Sequence, residues 1–149
     1  MIFVTTLITT TGCGEAICGV SRTLKDATNL IKVLSPEGSS FSIASQTPTR
    51  IILRGKSNRL FMIRIMDRDI EGDTAYVITK KRSDNTENMW CIYDNIDKAN
   101  KYIEENLISE SRRHLDKCHI TEISGISPLS KVIGKDSDQV TFVLYEVKI

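Results

Sequence analysis

His114 and Cys118 stand four residues apart, so a helix would set them on one face as two ligands of a zinc ion. Zinc needs three or four nitrogen or sulfur ligands. The remaining cysteines, Cys13, Cys18 and Cys91, are distant in sequence and supply no close pair of the usual finger spacing. Asp67-Arg-Asp-Ile-Glu-Gly-Asp73 sets acids at alternate positions with Gly sixth, as a calcium loop begins. The twelfth position is Ile78, where calcium requires a bidentate Glu, and the segment reads instead as a solvated turn. His119-Ile-Thr121 is a lone His-x-Thr, whereas two-histidine phosphoesterases need two such motifs to supply an acid and a base. Two histidines in all leave no Ser-His or Cys-His signature. Thr10-Thr-Gly-Cys-Gly14 lacks the Lys and the following helix of a phosphate loop, and its glycines suit a hairpin turn. No metal, cofactor or catalytic residue is implied.

Charge is more informative. Ala44 to Met66 carries Arg50, Arg54, Lys56, Arg59 and Arg64 and no acid, and Lys80-Lys81-Arg82 forms a second basic cluster at a hairpin end. On an extended strand Arg50, Ile52 and Arg54 share a face. Such a surface suits phosphates or an acidic partner. A sheet edge guarded by positive charge is the simpler reading, because 20 Lys and Arg against 19 Asp and Glu is not the basic excess of a nucleic-acid binder. Arg112-Arg113 suits a helix C-terminus. Strand alternation would turn Trp90 and Ile92 one way and Cys91 and Tyr93 the other, one side being core.

The elements that must hold these residues come from 149 residues, 40% hydrophobic and 26% charged, which is globular composition. No run approaches the ~18 apolar residues of a membrane-spanning helix, so no membrane partner is expected. The start, MIFVTTLITT, has no basic region ahead of its apolar residues and does not read as a signal peptide. The expected compartment is therefore cytoplasmic, with the four cysteines as reduced thiols.

The chain matches itself. Residues 17–31 lie over 89–103 at an offset of 72, with Val20 on Ile92, Leu24 on Ile96, Ala27 on Ala99, Leu30 on Tyr102 and Ile31 on Ile103. Each segment follows two strand-like runs around a polar or glycine-containing turn, the pattern of a hairpin. Thr23 and Asn95 then fall at aligned N-cap positions. Apolar residues continue at helical spacing. Pro36 and Gly38 stop the first helix soon after Leu34, while the second extends to about Leu115. The match resumes at an offset of 80, with Ile51–Leu53 on Lys131–Ile133 and Leu60–Ile63 on Val140–Val143. The eight added residues are assigned to the longer second helix. The expected fold class is α+β, an internal duplication of a β-β-α-β-β-β unit. The copies span 1–70 and 73–149, with one helix each on one shared or two separate antiparallel sheets, packed together about a pseudo-two-fold axis.

Gly19-Val-Ser-Arg-Thr-Leu-Lys-Asp-Ala27 and Tyr93-Asp-Asn-Ile-Asp-Lys-Ala-Asn-Lys-Tyr-Ile103 resemble small hairpin–helix modules of many bacteriophage and bacterial proteins. Their usual form is a strand ending in Gly-Val-Phe, a Ser cap and a Lys-Ala-x-x-Tyr-Ile helix. Here Ser21 stands in place of Phe, and Cys91 in place of Gly in the second copy. The resemblance implies a fold unit and a phage origin, and carries no activity. The expected function is a non-catalytic cytosolic binding protein, a phage accessory factor that engages a host protein, a component of a defence system being one such target. The binding residues would be Arg50, Arg54, Lys56, Arg59, Arg64, Lys80, Lys81 and Arg82. Two alternatives stay open: nucleic-acid binding by the Ala44–Met66 face, and an enzyme using His114, His119 or a cysteine.

Overall fold

The β-branched run from Ile2 forms the first strand of a mixed α+β structure that is mostly strand. The computed structural model describes residues 1–8, 14–35, 40–55, 58–82, 86–106, 114–117, 126–127, 130–133 and 141–149. The chain divides into two compact units, Met1–Asp69 and Ile70–Lys148.

The first unit runs β1 (Ile2–Ile8), β2 (Glu15–Ser21), α1 (Leu24–Leu34), β3 (Ser42–Thr47), β4 (Arg50–Arg54) and β5 (Leu60–Met66). Its five-stranded sheet has the order β2-β1-β5-β4-β3, antiparallel throughout. α1 begins where Thr23 Oγ1 accepts from the Asp26 amide at 3.1 Å, which satisfies one free donor of the first turn. It ends where the Ser35 amide reaches back to the Ile31 carbonyl. The helix buries Ala27 and Ile31 completely and leaves Leu24 and Val33 in solvent. Burying an isoleucine side chain contributes about 1.5–3 kcal/mol. Gly19 is small for a packing reason: a Cβ there would lie 2.5 Å from Leu30 Cδ2. The β4–β5 turn holds Asn58 at φ 59°, where Asn is among the few non-glycine residues tolerated.

The second unit runs β6 (Thr74–Lys81), β7 (Glu87–Tyr93), α2 (Ile96–Asn106), β8 (His114–Lys117), β9 (Ile126–Ser127), β10 (Ser130–Ile133) and β11 (Thr141–Lys148). β7-β6-β11-β9 form a four-stranded antiparallel sheet, and β10 pairs with β8 in a two-stranded one. Asn95 caps α2, its Oδ1 accepting from the Asp97 amide at 2.6 Å. Ala99 and Ile103 are fully buried against Ile78, Phe142 and Leu144.

In both units the first strand lies between its hairpin partner and the last strand. Both hairpins slip register at one place: β1 between Thr5 and Thr6, opposite Gly19 and Ile17, and β6 between Ile78 and Thr79, opposite Cys91 and Met89. The skipped residues are Cys18 and Trp90. A bulge of this kind adds one residue to one strand and breaks the two-residue alternation.

Three expectations are corrected. Among the described residues α1 and α2 have 11 residues each, and Leu115, the expected end of the second helix, stands on β8. Among the described residues four strands follow α2, not three, and β10, though close to β11, is paired with β8 and not with β11 as β4 is with β5. Third, Phe61 faces Leu7 across the β1–β5 ladder and Phe142 faces Lys80 across the β6–β11 ladder. With the bulges superposed, Phe61 therefore corresponds to Phe142, an offset of 81 and not 80. One residue decides which face a side chain occupies in a strand, and the shifted offset puts buried Phe142 with buried Phe61.

Candidate binding surface

Each bulge carries a carboxylate held by its neighbours. In the first unit, buried Glu15 accepts from Thr6 Oγ1 at 3.0 Å and from Arg64 Nη2 at 2.7 Å. In the second, Glu87 Oε1 accepts from Thr79 Oγ1 and from the Tyr145 hydroxyl, both at 2.5 Å. Arg64 lies across from Val4 and Tyr145 across from Val77, so the third member of each cluster comes from the same place on the last strand. A buried carboxylate with two donors has its desolvation offset by charge-assisted hydrogen bonds. These clusters hold sheets together.

The cationic residues separate accordingly. Arg64 is in an ion pair with Glu15, its side chain half-buried. Arg50, directly opposite Arg64 on β4, is exposed, as are Arg54 and Arg59. Arg50 and Arg54 stand on the outward side of β4, whose alternate residues Ile51 and Leu53 are core, and Arg59 precedes β5. Lys56 lies outside the described residues. In the second unit Lys80 and Lys81 are half-buried at the end of β6, and Arg82 is exposed. The Arg82 amide donates to the Thr86 carbonyl at 2.9 Å, fastening the hairpin end. Lys81 stands opposite Glu87 in the ladder.

Lys80 is the residue with a distinctive setting. Its Nζ lies 3.8 Å from the Trp90 ring centroid and 5.4 Å from that of Phe142, a cation–π geometry. The indole N–H donates to the Tyr102 hydroxyl at 2.6 Å. Tyr102 packs in turn near Tyr93 and edge-on to Phe142, with centroids 6.0 and 6.1 Å apart. Trp90 is 54% exposed, whereas Ile92 is buried. Strand alternation had put those two on one face; the bulge is why they differ. The missed signal was the bulge itself.

Of the residues considered for chemistry, Cys18 is buried and its thiol is pushed up to about 12, chiefly by desolvation. Cys18 and Cys91 carry reduced thiols. His114 stands on strand β8 and not on a helix. Cys13, Cys118 and His119 lie outside the described residues. Among the described residues no three metal-ligating side chains converge, and no helix is long and apolar enough to cross a membrane. No protein-family model, curated protein or solved structure matches this chain.

Proposed function

We propose that the chain is a non-catalytic binding protein built from two copies of one hairpin–helix–strand unit, and that it engages a host protein through its exposed basic residues. Three features support the duplication: the bulge at one place in each hairpin, a Thr–Glu hydrogen bond beside each bulge, and the capped helix burying an Ala and an Ile four residues apart. A bulge with its polar partner is a local solution to chain geometry, and its recurrence at matched positions favours common descent over chance. The host as the source of the partner follows from the resemblance to phage modules.

One observation carries the non-catalytic reading. The carboxylates of Glu15 and Glu87 tie neighbouring strands together: the partners of the first are Thr6 and Arg64 and those of the second Thr79 and Tyr145, which is the pattern of structural groups. The exposed polar chemistry consists instead of outward arginines on β4 and the basic end of β6, groups suited to acidic surfaces.

Affinity capture from bacterial lysate tests this reading. The wild-type chain is expected to retain one protein in stoichiometric amount. A variant with Arg50, Arg54, Lys80 and Arg82 all changed to Glu should lose it. Retention of nothing by the wild type, or equal retention by both, overturns the proposal.

A further inference from the structure

We infer that Trp90, Tyr102 and Lys80 form the anchor of the partner site and take an acidic segment of a protein. This deepens the proposed function and rests on its reading of the two units as copies.

The first unit serves as an internal control. Its positions corresponding to Lys80, Trp90, Tyr93 and Tyr102 hold Leu7, Cys18, Ser21 and Leu30, as the matched ladders and helix alignment place them. The same architecture therefore forms without an aromatic or a cation at that spot. Cys18 is 1% exposed, whereas Trp90 is 54% exposed. A large ring turned to solvent has little to offer folding, and this fold does without one in the other unit. Trp and Tyr are the residues that most often dominate binding energy at protein interfaces.

The ring is also fixed before any partner arrives. Its N–H is taken by the Tyr102 hydroxyl and Lys80 stands over it. A preorganised anchor loses little side-chain freedom on binding. Its strand, β7, is at the edge of its sheet, so an incoming segment has lateral access. The charge alongside is positive: Lys80 stands over the ring, and exposed Arg82 follows two residues on at the hairpin end. An acidic segment with an apolar residue for the ring complements both features. A nucleobase fits less well. Stacking needs an open ring face, and an ammonium already occupies the approach to one.

Trp90 is the only tryptophan, so its fluorescence reports this site alone. The full chain would be titrated with 12-residue peptides alternating Glu with Leu or Phe, with their Gln counterparts, and with a 12-nucleotide oligo-dT. The Glu peptides are expected to change Trp90 emission, with affinity falling as salt rises, and the Gln peptides to bind at least tenfold more weakly. Lys80→Leu and Tyr102→Leu install the residues of the first unit, which that fold already accommodates. Each should weaken the Glu peptides at least fivefold while circular dichroism stays unchanged. The inference is overturned if the Glu peptides leave emission unaltered, if both variants bind as the wild type does, or if oligo-dT alone quenches the ring. Lysate capture separates the two failures. A partner retained equally by wild type and Lys80→Leu refutes this site and leaves the binding function standing. No retained partner beside a positive peptide titration refutes the host-protein reading only.

Discussion

Adjacent threonines on β1 should respond oppositely to the same substitution. Thr5 and Thr6 are both fully buried, on opposite faces of the strand. Thr6 Oγ1 donates to Glu15, while Thr5 Oγ1 has no hydrogen-bond partner among the described residues. A buried hydroxyl without a partner carries a desolvation cost of about 1–3 kcal/mol. Valine has nearly the same shape and removes that cost. In the second unit the corresponding residue is Ile78, already apolar and fully buried. Thr5→Val is therefore expected to stabilise the chain by ~1 kcal/mol, the low end of that range. With a urea m-value of ~2 kcal/mol/M, the midpoint rises by about 0.5 M. Thr6→Val removes a donor from a buried carboxylate and should cost about 1.5–3 kcal/mol, lowering the midpoint by about 1 M. Thr5→Ser is the control: it keeps the hydroxyl, loses the methyl and must destabilise. Urea unfolding followed by circular dichroism reads all three. A loss of stability in Thr5→Val would mean that the hydroxyl is engaged, and the reasoning would fail.

Three further outcomes follow from local geometry. Gly19→Ala brings a Cβ to 2.5 Å from Leu30 Cδ2, the end of a half-buried side chain that can turn aside, so the cost should be no more than about 1 kcal/mol and should vanish when Gly19→Ala is made on a Leu30→Ala background, as urea midpoints would reveal. Cys18, its thiol pushed up to about 12 by burial, should alkylate with iodoacetamide at pH 8 at least tenfold more slowly than half-buried Cys91, measured by peptide mass mapping. Asn58→Gly should leave stability unchanged or slightly raised, whereas Asn58→Val should cost about 1–2 kcal/mol, because φ 59° suits glycine and opposes a β-branched side chain.

Local signals in the sequence located both hairpins and both helix starts. Thr23 and Asn95 cap where their side-chain oxygens reach the first-turn amides, and Ala27, Ile31, Ala99 and Ile103 are buried at helical spacing. What escaped reading was non-local or aperiodic. Arg64 reaches a carboxylate 49 residues away, a pairing that composition along the chain does not reveal, and so it looked like a surface cation. The bulge at Trp90 adds one residue to a two-residue period, which turns the ring outward against the alternation. The last-strand alignment slipped by one because Leu60–Ile63 is apolar throughout and Val140–Val143 is broken only by Thr141, and a nearly unbroken apolar run carries little register information. The reach of the second helix to Leu115 was overread because Leu107 and Leu115 continue the apolar spacing without a proline to stop it, whereas Leu115 stands on β8.

Through-hydrogen-bond NMR couplings across β1–β2 and β6–β7, measured on the isotopically labelled chain, test the equivalence of the two units most directly. The account predicts one interruption in each ladder, with Cys18 and Trp90 as the skipped residues, and Phe61 and Phe142 opposite Leu7 and Lys80 on the neighbouring ladders. A regular ladder through either Cys18 or Trp90, or interruptions at positions that do not correspond, would contradict it.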